Sequence, residues 1–212
     1  MSAIAVRYNT AKPRYTYADY ATWPEYPRFE LIEGEAIQMS APSWEHQEIS
    51  MALSGLFWTF LRGKKCRVLA APFDVRLNFD TLDNTVVQPD LVVICDLDKL
   101  SNKKNCLGAP DMAIEILSSS TRSMDKLRKY NIYREFGVRE YWVVDPFDRL
   151  VEVYVLENEK YTSFVYDDTS TIPVHILEGC EINLAEVFPP NESPASPPIN
   201  YPLNEEGTVL TD

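Results

Sequence analysis

Three short apolar runs dominate the middle of the chain and restrict it to folds built on a buried sheet. They span residues 66–71 continuing into 74–77, then 91–95, then 112–117. Each is rich in Val, Ile and Leu without polar alternation, the composition of strands covered on both faces. Flanking patterns supply the cover. Residues 44–61 carry Ile49, Leu53, Leu56, Phe57 and Phe60 at helical spacing, and Gly63 follows as a stop. A second helix runs from the N-cap candidates Ser118, Ser119, Ser120 and Thr121 to about Phe136, with Gly137 just beyond. Residues 29–39 read as a hairpin turning at Glu33-Gly34. Residues 141–144 and 150–156 read as another around Asp145-Pro146-Phe147-Asp148, and 161–166 add a strand. Thr16 caps a short helix that Pro24 ends. This order predicts an α/β fold: a central mixed β-sheet flanked by helices.

The ends of the chain differ from this body. Residues 189–212 hold Pro189, Pro190, Pro194, Pro197, Pro198 and Pro202 with almost no apolar periodicity, and read as a flexible tail. Residues 1–14 form a shorter arm, which leaves 15–188 as one folded domain. No stretch approaches the roughly 18 apolar residues of a membrane span, and residues 1–14 lack a basic segment followed by an apolar run. Cys66, Cys95, Cys106 and Cys180 show no CxxC spacing and are expected as reduced thiols, in keeping with a cytoplasmic address.

Two polar residues sit where the pattern calls for apolar ones. Asp90 follows Pro89 and opens Leu91-Val92-Val93-Ile94, and Glu115 interrupts Met112-Ala113-Ile114-Ile116-Leu117. A carboxylate inside a strand needs a cation, a donor or a proton, because burying it unpaired is costly. A structural salt bridge meets that need, and so does a divalent ion such as Mg2+, which favours oxygen ligands and keeps its waters. The second helix then places Lys126, Lys129 and Tyr133 on one side by the i, i+3, i+7 rule, either as a solvated basic face or aimed at those acids. Two acids and a lysine fit phosphodiester hydrolysis, where a metal polarises the phosphoryl oxygen and a cation balances the growing charge. Other chemistries lack their parts. His46 and His175 are the only histidines, and GxSxG, GxxxxGK[ST] and GxGxxG are absent.

Net charge pulls the other way. Lys and Arg number 20 against 32 Asp and Glu, a balance of −12. The basic residues are clustered, however, at Lys64, Lys65 and Arg67, at Lys99, Lys103 and Lys104, and from Arg122 to Arg134. Screening confines charge to about 10 Å in ordinary salt, so local placement decides what the surface attracts.

Five segments in order carry a resemblance. They are Phe29-Glu30-Leu31-Ile32-Glu33-Gly34-Glu35, Met39-Ser40-Ala41-Pro42-Ser43 with His46, Val87-Gln88-Pro89-Asp90-Leu91-Val92, Ala113-Ile114-Glu115-Ile116-Leu117-Ser118 and Glu140-Tyr141-Trp142-Val143-Val144-Asp145-Pro146. Together they resemble the Uma family, a bacterial group of restriction-endonuclease-like proteins with the PD-(D/E)XK nuclease fold. The resemblance implies a restriction-endonuclease-like core and a metal-dependent endonuclease acting on DNA. Pro89-Asp90 takes the place of the PD element and Glu115 that of the second acid, so that Asp90 and Glu115 bind Mg2+ (or Mn2+). The lysine expected two residues after Glu115 is Leu117 here, and Lys129 on the following helix stands in for it. Glu30 matches an early family glutamate that reaches the ion directly or through water. His46 matches a family histidine suited to a phosphate contact or proton donation. The resemblance also makes a homodimer plausible, since cutting both strands often takes two copies. A rival reading keeps the fold as a binding or regulatory module without turnover, and the acidic balance favours it. Trp142 and Tyr141 are expected in the core, and His175 as a structural residue.

Overall fold

The computed structural model describes residues 14–118 and 124–189. Nearly all of the predicted arm and tail lie outside them, as do the N-cap candidates Ser119, Ser120 and Thr121. The chain runs α1 (Tyr17–Tyr20), β1 (Phe29–Ile32), β2 (Glu35–Gln38), α2 (Trp44–Leu61), β3 (Arg67–Ala70), β4 (Val75–Arg76), β5 (Val86–Val87), β6 (Leu91–Ile94), β7 (Cys106–Leu107) and β8 (Met112–Ile116). It continues through α3 (Met124–Glu135), β9 (Glu140–Asp145), β10 (Leu150–Glu157), β11 (Lys160–Asp167), β12 (Thr171–Pro173) and β13 (Glu181–Asn183).

The main sheet has six strands in the order β11-β10-β9-β8-β6-β3. Its β8–β9 pair is parallel and its other pairs are antiparallel. A parallel neighbour needs a crossover, and α3 is that crossover. Side chains alternate across the sheet as the period of two requires. Met112, Ile114, Trp142 and Val144 face the core shared with Ile49, Leu53, Phe57 and Leu61 of α2. Ala113, Tyr141 and Val143 face the opposite core, which includes Ile132 and Tyr133 of α3. Each fully buried aliphatic side chain of α2 contributes about 1.5–3 kcal/mol. Trp142 and Tyr141 lie in the core as expected, and His175 stacks on Phe164.

A second, five-stranded sheet, β2-β1-β5-β4-β7, packs on the α3 side through Ile32, Val75, Val87 and Cys106. Its β1–β2 hairpin turns where the sequence places it. Ile32 pairs with Glu35, and Glu33 and Gly34 both have positive φ, 51° and 81°. A two-residue turn of this kind demands that conformation, which Gly adopts at no steric cost. The two-residue strands β5 and β7 lie below what a hydrophobic pattern can mark.

Two expectations are corrected here. Residues 66–71 and 74–77 are not one strand: β3 ends at Ala70 in the main sheet, and β4 belongs to the second. Pro72 has no N–H for a ladder, and the Ala71 amide instead donates to the Asp90 carbonyl at 3.0 Å. Nor are all four cysteines reduced. The register Arg67↔Ile94 sets Cys66 opposite Cys95 one step further out, and these two form a disulfide. Cys106 and Cys180 are free and buried. The bridge closes a span of 29 residues, for which chain entropy gives about 3–4 kcal/mol. Cys66→Ser should therefore lower the midpoint of thermal unfolding by several degrees under oxidising conditions. With dithiothreitol present, the variant and the native chain should converge.

Glu140 opens β9 with no exposed surface, its carboxylate accepting from Trp142 Nε1 at 2.8 Å and from the Ile176 amide at 2.9 Å. Burial raises its pKa above the usual 4.5, and the two donors oppose that rise without cancelling it. The folded state therefore holds this proton more tightly than the unfolded state does. Its contribution to stability is full below about pH 4.5 and is lost as pH climbs through the raised value. Subtracting the thermal midpoint of Glu140→Gln from that of the native chain isolates this group, and the difference should fall as pH rises above about 4.5.

Candidate active site

The site lies where the ends of several strands meet the two helices. β6 and β8 pair as Leu91↔Ile114, so Asp90, one residue before β6, falls opposite Glu115. Asp90 is tied to β8 one residue beyond Glu115, because its Oδ2 accepts the Ile116 amide at 2.7 Å. Asp90 Oδ1 lies 3.2 Å from Nε2 of His46, in the first turn of α2. Ser43 caps that helix and accepts the His46 amide, which fixes the imidazole at the rim of the sheet.

Glu115 points to the α3 face. Its Oε1 accepts from Lys129 Nζ at 2.9 Å and from the Tyr133 hydroxyl at 2.6 Å. Lys129 also donates to Glu30 Oε1 at 2.9 Å, and Glu30, on β1, accepts the Gln88 amide at 2.8 Å. The structure thus brings Asp90, Glu115, Lys129, Glu30 and His46 together in one cleft of about 390 Å3, which Arg28 and Gln88 also line. Leu117, where a motif lysine would stand, is buried in the α3-side core. Lys129, from the crossover helix, delivers its ammonium to the acid two residues earlier than that leucine.

Charge in the cleft is unbalanced. Three carboxylates face one ammonium among the described residues. Burial pushes the Glu115 carboxyl up to about 7; Lys129 pulls it down, and Glu30 and Asp90 add repulsion. Burial alone would lower the Lys129 pKa, but Glu115 and Glu30 outweigh it and hold the ammonium protonated. Burial likewise opposes charge on His46, whose pKa is nonetheless raised by its contact with Asp90 and by the charge of Glu115. Its Nδ1 is buried without a hydrogen-bond partner among the described residues, so the observed contact of the imidazole is with Asp90 rather than with the open cleft.

This donor set suits a hard divalent cation. Two opposed carboxylates with surplus negative charge are what Mg2+ accepts, and it keeps waters at its remaining positions. Among the described residues no group of three or more His, Cys, Asp or Glu side chains is placed to hold a metal ion, so an ion here would rest on Asp90 and Glu115 and on water. Sequence reasoning gave no role to two partners. Tyr133 shares the Lys129 face at i+4, which was the available signal, and Gln88 precedes Pro89-Asp90 but acts on Glu30 through its backbone.

A mixed sheet with opposed acids on neighbouring strands, crossed by a helix that brings a lysine to one of them, defines a protein with the nuclease-like fold. Residues 17–185 match the model of the Uma2 family, described as "Putative restriction endonuclease", and the chain belongs to that family. A solved structure from Anabaena variabilis ATCC 29413, described as a putative nuclease belonging to DUF820, has the same fold. It superposes with a TM-score of 0.68 at 20% identity, covering 82% of this chain and 97% of that one. Two uncharacterized Synechocystis sp. (strain ATCC 27184 / PCC 6803 / Kazusa) proteins are also similar. One, sll1609, is 28% identical over 59% of this chain and 70% of its own length. The other, slr1290, is 30% identical over 57% of this chain and 63% of its own length. Among the described residues no helix is long and apolar enough to cross a membrane.

Proposed function

We propose that this cleft hydrolyses phosphodiester bonds in DNA with Mg2+ or Mn2+ held by Asp90 and Glu115. The observation that carries the reading is the meeting of Lys129 with Glu115 at 2.9 Å, beside an Asp90 set opposite in register, inside an open cleft. The bound ion supplies Lewis acidity toward a phosphoryl oxygen and the attacking water. The chain supplies the rest. Lys129 spends two of its three N–H donors on Glu30 and Glu115, and the third is available to a phosphoryl oxygen whose charge grows in the transition state. Glu30 and Tyr133 hold Lys129 and Glu115 in that geometry. His46 acts as a positioning residue that orients the Asp90 carboxylate through Nε2.

Arg28 also lines the cleft, and a divalent ion held there would offset the surplus carboxylate charge, so that a phosphate backbone could approach despite the net charge of −12. A homodimer would place two such clefts on the two strands of a duplex.

Relaxation of supercoiled plasmid with Mn2+ tests the proposal. The native chain should nick, and Asp90→Ala should not. Cutting that survives in Asp90→Ala belongs to a contaminant or to another site. Calorimetric titration with Mn2+ adds a readout without turnover: binding should weaken in both Asp90→Ala and Glu115→Ala. A native chain that neither nicks nor binds Mn2+ through these carboxylates is a module without turnover.

A further inference from the structure

A second cavity, of about 610 Å3, adjoins the carboxylate cleft, and Arg28, Pro72 and Gln88 line both. Its walls are aromatic: Tyr20 and Trp23 come from α1 and the turn after it, Phe29 from the start of β1, and Phe73 from the segment where the chain changes sheets. Tyr20 and Trp23 lie 5.4 Å apart and Trp23 and Phe29 5.5 Å apart, with ring planes tilted or edge-on. Aromatic groups wholly committed to a core would be closed over, yet these line a cavity within the range of small-ligand sites, roughly 300–1,000 Å3. Exposed Lys104 stands at its margin.

The floor is polar and incompletely satisfied. Gln88 is 8% exposed, and its Nε2 donates to Asp74 at 2.8 Å and to the Tyr20 hydroxyl at 3.1 Å. Its Oε1 is buried with no hydrogen-bond partner among the described residues. A buried acceptor left unmade is costly, so a ligand donor at this shared wall would be favoured.

We propose that this aromatic cavity receives an unpaired nucleobase beside the bond that breaks, so that the preferred substrate is single-stranded or carries an unpaired nucleotide. The proposal rests on the phosphodiesterase reading and narrows its substrate class. A planar base stacks on aromatic rings, and the Gln88 amide, by turning toward it, would give its orphaned acceptor an amino or imino N–H. Arg28 sits between the two cavities, where the phosphate linking a base in one to a scissile bond in the other would pass. Lys104 supplies the next backbone contact. A base inside a duplex is stacked and paired, and entering the cavity would first cost its extrusion.

The test is fluorescence anisotropy of a labelled 15-residue deoxyoligonucleotide, single-stranded or as a blunt duplex, with the full chain in Ca2+. The single strand should bind at least about tenfold more tightly than the duplex. Stacking on one aromatic is worth roughly 5- to 150-fold in affinity, so Trp23→Leu should lose single-strand binding within that range while Trp23→Phe retains most of it. Should Trp23→Leu not fold, exposed Lys104→Glu carries the test: it should weaken single-strand binding and lessen its salt dependence. Equal affinity for the two forms, or unchanged single-strand binding by folded Trp23→Leu, overturns the proposal. Cutting of the same single-stranded oligonucleotide by the native chain in Mn2+ keeps the two readings apart. If cutting persists while binding is unselective, only the base pocket is lost; if the native chain cuts neither the oligonucleotide nor the plasmid, the hydrolase reading itself is lost.

Discussion

Lys129→Met is expected to abolish cutting and also to destabilise the fold by about 3–5 kcal/mol, the cost of stranding buried charge. The ammonium is nearly enclosed and is shared by Glu30 and Glu115 at 2.9 Å each. Removing it leaves two carboxylates facing each other across a desolvated space with Asp90 close behind. Denaturant unfolding of the variant should show the loss as a lower midpoint. Changing the acids as well separates charge from packing: Lys129→Met combined with Glu30→Gln and Glu115→Gln should recover much of the stability and none of the activity. If Lys129→Met unfolds at the native midpoint, the ammonium is not holding the cluster together, and its catalytic role weakens with it.

Asp90→Asn should behave in the opposite way, with activity falling roughly 10²–10³-fold and the fold nearly unchanged. The amide is isosteric. Its oxygen can still accept the Ile116 N–H, and its NH2 can still reach His46 Nε2. What it loses is the negative charge that the proposed ion needs. Single-turnover cleavage against Mn2+ concentration, beside a thermal melt, gives both numbers. A large fall in melting temperature would mark Asp90 as chiefly a structural strut between α2 and β8.

Much of this arrangement could be read from residue order. The spacing of Ile49, Leu53 and Phe57 gives α2, whose span of residues 44–61 matches the structure end to end, and Gly34 marks the first hairpin turn. The resemblance of roughly residues 15–188 to a nuclease-like family was carried by five short segments, and the family model matches residues 17–185. Glu115 was visible because a charged side chain in a run of Ile and Met contradicts the strand around it. Its partners were harder to see. Which face of the sheet it meets depends on α3 packing against β9, and periodicity places Lys129 on a helix face without saying what that face touches. The Cys66–Cys95 bridge depends on β3 and β6 being neighbours in one particular register, a nonlocal fact that cysteine spacing does not encode. The second sheet escaped notice because β5 and β7 have only two residues each, too few for any alternation to register.

The five side chains of the cleft come from β1, α2, the approach to β6, β8 and α3, so nearly a hundred residues separate Glu30 from Lys129. A protein still emerging from the ribosome has Glu30 and His46 long before it has Lys129, the last of the five to be made. No fragment that ends before α3 carries the full set. On the proposed hydrolase reading, an unfinished chain therefore lacks the complete centre during synthesis.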